Sequence, residues 1–217
     1  MDEDGTNLTQ VTDNDIDDSA PDWSPDARQI AYSGGADETS RDIFVIDSEG
    51  REEPMNLTDS PEDDDTPDWS PDGRWIVWET EIADGTHDIR RMRPTGTSRP
   101  RVTNTPGVED FWPAWSPDGT TVAFRSNLDG TGPGRYDIYT VQIGGPADAS
   151  GYRRVTQDML RNHQPAWSPE GDRIVFVKDR TDGDGSDLYT VSVDDGKTDR
   201  LTSSRHADAG PVWRPQG

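Results

Sequence analysis

The chain has 217 residues, of which 44 are acidic and 21 basic, so its formal net charge is −23. A charge of this size repels phosphate, which excludes nucleic acid and anionic membrane surfaces as partners. No apolar run approaches the roughly 18 residues of a membrane span, and the absence of cysteine excludes disulfides and cysteine nucleophiles.

Near-copies of one phrase recur along the chain. They are PDWSPDARQIAY from Pro21, PDWSPDGRWIVW from Pro67, PAWSPDGTTVAF from Pro113, PAWSPEGDRIVF from Pro165 and PVWRPQG from Pro211. The steps between these prolines are 46, 46, 52 and 46 residues, a spacing typical of stacked repeats. We therefore expect one domain over residues 1–217, with repeats centred on Trp23, Trp69, Trp115, Trp167 and Trp213.

Each repeat has the same order of elements, illustrated by the second copy. The first strand, which contains PDWS, leads into the turn S-P-D-G, where Pro71 sets φ to about −65° and Gly73 is free to take a positive φ. The second strands, IAYS, IVWE, VAFR and IVFV, have the apolar pattern of buried or half-buried strands. A third strand begins at an Asp-Ile or Asp-Leu pair, and a fourth ends in a Leu-Thr or Val-Thr pair.

This order predicts an all-β fold, a β-propeller of four-stranded antiparallel blades. Four blades are complete, and partial terminal strands lie at residues 7–12 and 210–217. An exposed strand edge must be paired or covered. We therefore expect the two ends either to meet in one partial blade or to pair with a second copy, which would give a homodimer through the terminal blades.

The phrase L-T…P-x-W-S-P-D-G-x-x-I-x-F…D-I-Y resembles the WD40-like repeat of TolB-type β-propellers, over nearly the whole chain. The same repeat type occurs in the propellers of tricorn-like and prolyl-oligopeptidase-like peptidases. The resemblance implies that each Trp packs between neighbouring blades. It also implies a module that binds a protein or peptide. Propellers of this type usually have six blades, so the present chain departs from the family.

One acidic or amide residue lies three positions before each motif proline. These residues are Asp18, Asp64, Asp110, Asn162 and Asp208. Because the first strands of a propeller line its channel, we expect these side chains to surround the channel mouth, where converging carboxylates favour a cation such as Ca²⁺ or a cationic ligand. The alternative is that each Asp caps its own loop by accepting backbone N–H groups.

Deviations from the repeat indicate a second group of ligand-binding candidates. Phe111 and Trp112 stand where the other repeats have small or polar pairs, and His163 departs from the acidic pattern of the next repeat. An aromatic pair beside the acidic residues offers a stacking surface for a ligand. Packing of these side chains against a neighbouring loop is the alternative.

The loop TDGDGSD places Asp182 and Asp184 at alternate positions, as the start of an EF-hand loop does. It lacks the later glutamate, so a structural turn is favoured over a metal site there. We expect no cofactor, with Ca²⁺ as the alternative.

The sequence favours a non-catalytic scaffold over an enzyme. No G-x-S-x-G motif or H-E-x-x-H pair is present, although a carboxylate pair in the channel would suit a hydrolase or lyase. The sequence therefore predicts a scaffold that binds a protein or peptide, with a cation- or small-ligand-binding propeller as the alternative.

The setting of the protein is indicated by charge and by the N-terminus. The start MDEDGTNLTQ has no signal-peptide pattern, which suits the cytoplasm, whereas the family resemblance implies an extracytoplasmic site. With 34 Asp and only two Lys, the composition resembles that of proteins from extreme halophiles.

Overall fold

The computed structural model describes residues 6, 8–36, 40–129, 134–158, 160–181, 183, 185–203 and 206–213. In these residues the regular structure consists of fifteen strands and one 3₁₀ turn at Ala149–Gly151. No helix in this described part is long and apolar enough to cross a membrane. The prediction of an all-β fold is confirmed.

The strands form four antiparallel sheets, here called blades 1 to 4. Blade 1 contains β1 (Asp17–Trp23), β2 (Gln29–Gly35), β3 (Asp42–Asp47) and β4 (Met55–Asn56). Blade 2 contains β5 (Asp64–Trp69), β6 (Ile76–Glu81) and β7 (His87–Met92). Blade 3 contains β8 (Asp110–Trp115), β9 (Thr121–Ser126), β10 (Asp137–Gln142) and β11 (Tyr152–Arg154). Blade 4 contains β12 (Asn162–Trp167), β13 (Arg173–Asp179), β14 (Ser186–Ser192) and β15 (Thr198–Arg200).

Within each blade the strands pair in chain order, as in a meander. The first strands β1, β5, β8 and β12 contact one another in sequence along the array. The SPDG turns lie at one end of the blades, the turn face. The loops that join second to third and fourth to first strands lie at the opposite end, the loop face. The predicted propeller of antiparallel blades is confirmed by this arrangement.

Blade 2 differs from the expected four strands at its outer edge. Its fourth strand is reduced to an isolated bridge between Arg90 and Arg101. Pro100 precedes Arg101 and has no N–H to donate to a ladder, although its carbonyl still accepts from the Arg91 N–H at 3.1 Å. The shortened strand is a local consequence of this proline.

The hydrophobic core lies between successive blades. Trp69 packs with Ala31 and Ile43 of blade 1, and Trp115 packs with Val77 and Ile89 of blade 2. Trp167 likewise packs against the cluster that contains Ala123 and Ile138 of blade 3. Each motif tryptophan therefore joins its own blade to the preceding one, as the family resemblance implied. Trp23 is the exception: no blade precedes it among the described residues, and it is 54% exposed, whereas Trp69 and Trp115 are each 7% exposed.

Every first strand is interrupted by a bulge just before the motif proline. The register shifts between Ser19 and Asp22 in β1, and at the matching place in β5, β8 and β12. The bulged residues Ala20, Thr66, Trp112 and Gln164 have φ values of 47°, 51°, 51° and 52°. A left-handed residue inside a strand re-aims its side chain relative to the regular pleat. These four side chains therefore share one orientation relative to the array.

The two terminal segments lie at opposite ends of the array. A Cβ on Gly50, at the end of blade 1, would lie 2.8 Å from the Val11 carbonyl oxygen, so the N-terminal segment rests on that blade. At the other end, Trp213 Nε1 donates to the Ala166 carbonyl at 3.0 Å. The terminal segments extend the array on both sides.

Candidate binding site

A central cavity of about 450 Å³ lies among the first strands. It is lined by three-residue segments at the same place in every repeat: 20–22, 66–68, 112–114, 164–166 and 210–212. Each segment begins with the left-handed residue, continues with the motif proline and ends at the residue before the tryptophan. The cavity wall is thus built by the repeat, while its chemistry is set by the few positions that vary.

Side-chain acceptors hold these segments in place from one blade to the next. Ser33 Oγ accepts from the Thr66 N–H at 3.1 Å, and Glu79 Oε2 accepts from the Trp112 N–H at 2.6 Å. Gln164 Oε1 accepts from the Gly210 N–H at 2.9 Å. Because each acceptor belongs to the repeat before its donor, the bonds all run in one direction along the array. Each of these hydrogen bonds satisfies the N–H of a left-handed residue, which offsets part of the strain energy of its backbone.

Near the loop face, three aromatic rings surround Arg125 and form what we call the aromatic clamp: Phe111, Trp112 and Tyr136. The guanidinium carbon lies 4.3, 4.1 and 4.2 Å from the respective ring centroids. Arg125 is opposite Phe111 in the β8–β9 ladder, and the bulge turns Trp112 towards the same guanidinium. Burial lowers the pKa of Arg125 without discharging it at neutral pH.

Two histidines extend the clamp on either side. The His87 ring lies 4.5 Å from the Phe111 ring, and the His163 ring lies 5.1 Å from the Trp112 ring, measured between centroids. His163 Nε2 lies 3.1 Å from Asp179 Oδ1. Burial lowers the pKa of both histidines, so both are neutral at pH 7. Phe111 and Trp112 therefore each lie close to both Arg125 and a histidine.

Two glutamates lie beside the clamp, and each is engaged elsewhere. Glu79 accepts from the Trp112 N–H and from Thr66 Oγ1 at 2.7 Å. Burial raises the pKa of Glu79 to about 7. Glu109 accepts a short hydrogen bond from the Tyr136 hydroxyl. Neither carboxylate forms an ion pair with Arg125.

Two carboxylates line the central cavity itself. Asp22 Oδ2 accepts from the Trp69 N–H, and Asp68 Oδ2 accepts from the Trp115 N–H, both at 2.7 Å. Burial raises the pKa of Asp22 to about 6. Burial, and then the nearby Asp22 charge, raise the pKa of Asp68 as well. In the next two repeats alanine replaces this Asp, and the Ala114 carbonyl instead accepts from Trp167 Nε1 at 3.1 Å.

The predicted acidic ring at the channel mouth does not form. Asp64, Asp110 and Asn162 are 2%, 0% and 0% exposed. Asp64 and Asp110 bond within their own blades, whereas Asn162 Nδ2 donates to Asp137 Oδ1 of blade 3 at 3.2 Å. Trp78 Nε1 donates to Asp64 Oδ1 at 2.8 Å, and the Tyr152 hydroxyl donates to Asp110 Oδ2 at 2.8 Å. These buried side chains connect strands and loops, because the repeat supplies polar partners for them inside each blade.

The remaining members of that set are closer to solvent. Asp18 is exposed and accepts from Asn14 Nδ2 at 3.3 Å. Asp208 is half-buried and accepts a hydrogen bond from Thr202 Oγ1. The expectation that all five side chains converge was wrong, because the residues face their own loops.

Asp182 and Asp184, the predicted metal ligands, lie outside the described residues. Among the residues that are described, no group of three or more His, Asp or Glu side chains is arranged to hold a metal ion. The Ca²⁺ alternative thus remains a prediction from the sequence.

The structure brings together Phe111, Trp112 and His163 of the predicted ligand-binding residues. It adds Arg125, Tyr136 and Glu79, which the sequence reading did not select. A signal for two of them existed in the second strands, at the position that pairs with the residue just before each bulge. This position is occupied by Ser33, Glu79, Arg125 and Val177. A repeat position that changes from neutral to acidic to basic has a role that the repeat itself does not require.

The sequence profile described as the TolB beta propeller domain matches residues 95–217, more than half of the chain. The chain belongs to the TolB beta propeller domain family. TolB from Acinetobacter baumannii has the same fold over 92% of this chain and 47% of its own, with a TM-score of 0.72 and 24% identity. A TolB candidate from Agrobacterium tumefaciens matches over 89% of this chain and 65% of its own, with a TM-score of 0.74 and 24% identity.

A peptidase is also among the relatives of this TolB-family chain. The uncharacterized peptidase YuxL of Bacillus subtilis strain 168 is 36% identical over 62 residues, which is 29% of this chain and 9% of the peptidase. The chain spans less than two thirds of the length of each of these three relatives. The shared region is the propeller scaffold, which supports different functions in different proteins.

Proposed function

We propose that this chain is a non-catalytic binding module that takes up a protein or peptide segment through its loop face and central cavity. The observation that carries the proposal is the cavity wall. Five left-handed positions line it with the same backbone conformation, and each carries a different side chain. A concave site with a few placed polar groups suits ligand binding. Membership of the TolB family is consistent with an interaction module.

The site is suited to an extended segment. The wall is rich in proline rings and small side chains, which offer apolar contact without competing donors. The aromatic clamp and its flanking histidines lie at the loop-face end of the same first strands. A segment that enters between the loops would meet this rim first and the proline-lined wall next.

The test uses peptides selected from a random displayed library against the purified chain, with affinities then measured by calorimetry. Ala20→Trp fills the cavity at a position whose backbone already carries tryptophan in the third repeat, as Trp112. Ala27→Trp is the matched control, because Ala27 is also left-handed, with φ of 56°, but lies in the exposed turn outside the cavity. We expect Ala20→Trp to weaken the selected peptides at least tenfold and Ala27→Trp to leave them unchanged. Equal affinity for both variants would contradict the proposal.

A hydrolase or lyase is the second candidate function, favoured by Asp22 and Asp68. Carboxyl groups with raised pKa values can act as acids or bases near neutral pH. Their hydrogen bonds to Trp69 and Trp115 give them a structural role that needs no catalysis. Turnover of a fluorogenic peptide or an oligouronide that is lost in Asp68→Asn, while the folded state is retained, would favour this candidate over the binding module.

A further inference from the structure

Arg125 occupies a position that serves a different purpose in the two preceding blades. The equivalent residues Ser33 and Glu79 each accept the N–H of the left-handed residue in the next blade. Arginine has only donors on its side chain and cannot make this bond. The third blade therefore replaces an inter-blade acceptor with a buried cation, which the propeller scaffold does not require.

The Arg125 guanidinium has no acceptor among the described residues, and its Nε atom is buried without a hydrogen-bond partner. Other arginines of this acidic chain do find carboxylates: Arg41 pairs with Asp65 at 2.6 Å and Arg154 with Asp137 at 2.6 Å. His87 Nδ1 and His163 Nδ1, on the two flanks of the clamp, are also buried without partners. Twelve buried side-chain polar atoms of the described residues lack a partner, Arg90 Nε among them, and three of the twelve lie around this one group of rings.

The aromatic clamp fixes the orientation of the guanidinium. Three ring centroids lie 4.1 to 4.3 Å from its central carbon, and no described residue accepts a hydrogen bond from the edge that carries the two terminal nitrogens. That edge presents parallel N–H groups in the geometry that matches a carboxylate. Because the rings already restrict the side chain, binding there loses little rotamer entropy.

Further arginine side chains lie near Arg125 on the loop face. A neighbouring cavity of about 620 Å³ is lined by Arg135 and Arg161, and the positive charge of Arg161 also acts on Arg125. Glu79 and Glu109 offset part of this charge, but their oxygens accept from Trp112, Thr66 and Tyr136 instead. Asp179 lines the same cavity, and the charges of Asp63 and Glu81 act on His87, so arginine and carboxylate side chains both lie at the mouth of the binding site.

We propose that Arg125, held by the aromatic clamp, binds a carboxylate group of the segment that the loop face takes up, with Arg161 adding long-range attraction. This inference rests on the proposed binding function and names its ligand chemistry. The carboxylate belongs either to an Asp or Glu side chain or to a free C-terminus of the bound segment. Both sources present the same planar pair of oxygens.

Four small probes of similar size separate the sources. N-acetylglycine carries a terminal carboxylate, and N-acetylglycinamide does not. N-acetylglutamic acid α-amide carries a side-chain carboxylate, and N-acetylglutamine amide does not. Binding is followed by NMR, through the Arg Nε–H signal that disappears in Arg125→Lys and the indole signal that disappears in Trp112→Phe. We expect saturable shifts of both signals with at least one acidic probe and none with the neutral amides.

Arg125→Lys keeps the charge but loses the planar fork, so we expect the acidic probe to bind about tenfold more weakly, measured on the indole signal. Arg91→Lys is the matched control, because the Arg91 guanidinium also lies over a ring, at 4.3 Å from the Trp75 centroid. In the β6–β7 ladder, however, Arg91 lies opposite Val77, towards the turn face and away from the clamp. Equal shifts with acidic and neutral probes, or unchanged affinity in Arg125→Lys, would overturn the inference. If library peptides bind but ignore Arg125→Lys, the binding module stands and the carboxylate site falls. If the acidic probe binds but no library peptide does, the carboxylate site stands and the binding module falls.

Discussion

Glu79 joins two parts of the binding site, since its carboxylate holds the Trp112 backbone and its charge faces Arg125. Its buried position favours the protonated form in the folded chain. The folded state therefore retains a proton up to a pH of about 7, whereas the unfolded chain releases it near the ordinary glutamate pKa of 4.5. The stability due to this group is complete below the lower value and is lost as the pH rises towards the higher one.

We predict that Glu79→Gln removes this pH dependence. Glutamine keeps an acceptor for the Trp112 N–H but cannot ionise, so the variant should gain up to about 3 kcal/mol relative to the wild type between pH 4 and pH 8. Urea unfolding at a series of pH values measures this difference. A difference in unfolding free energy that stays constant over the range would show that Glu79 ionises freely in the folded protein.

The SPDG turns offer a prediction from backbone strain. Ala27 has a φ of 56° where the second, third and fourth repeats place glycines with φ of 69° to 74°. A left-handed alanine costs roughly 1–2 kcal/mol, part of which glycine returns through its larger unfolded entropy. Ala27→Gly should therefore stabilise the chain by about 0.5–1 kcal/mol.

The reverse change provides the control for the turn. Gly73→Ala places a Cβ 3.4 Å from Pro25 Cγ, an ordinary contact, so only the backbone conformation opposes it. We expect a loss of about 1 kcal/mol in the same unfolding experiment. If Ala27→Gly were destabilising while Gly73→Ala was neutral, strain at the turn would play no part.

At the scale of the element, the tryptophans that join the blades differ in what they bury. Trp115 is 7% exposed in the cluster between blades 2 and 3, whereas Trp23 is 54% exposed beyond blade 1. We predict that Trp115→Ala costs about 3–5 kcal/mol and that Trp23→Ala costs less than about 1 kcal/mol. Chemical denaturation of the two variants side by side measures both, and equal losses would contradict the packing between successive blades.

The blades were predictable from the sequence because their determinants are local. Turn chemistry at S-P-D-G, apolar second strands and the regular tryptophan spacing act within one repeat and reappear in the next. The reduced fourth strand of blade 2 was not anticipated, since it depends on Pro100 lying where a ladder donor is needed.

The site was less accessible to sequence reasoning, because its geometry depends on contacts between repeats. A residue before a proline is usually extended, whereas Trp112 is left-handed. The direction of its ring could therefore not be predicted from the sequence. The burial of Asp64 and Asp110 depends on Trp78 and Tyr152, which are not repeated at equivalent places. Phe111 and Trp112 were nevertheless found, because they interrupt a regular pattern.

For the whole molecule, the charge of −23 is the dominant property. Repulsion within a compact acidic chain weakens when molar salt shortens the Debye length to about 3 Å. If the composition is an adaptation to salt, the melting temperature should rise steadily from low to molar KCl. A melting temperature independent of KCl would leave the excess of aspartate without this explanation.

The two ends of the array expose apolar side chains, with Trp23 54% and Val212 87% accessible. We predict that two copies associate through these terminal faces, burying the same surfaces reciprocally. Light scattering should give about twice the chain mass of 24.0 kDa, and Trp23→Asp should reduce the mass while the circular-dichroism spectrum of the folded chain is retained. A mass of one chain at both low and high salt would rule out this association.

The bulge in each first strand has a consequence for how such a protein can change over evolutionary time. One backbone conformation accommodates alanine, threonine, tryptophan, glutamine and, at Gly210, glycine. Neither the ladder nor the inter-blade core depends on which side chain stands there, because both are built by the flanking residues. Single substitutions at these five positions can then change which ligand is bound, while selection acts separately on the residues that determine folding. By protein design, the side chains that line the central cavity could likewise be changed without altering the blades.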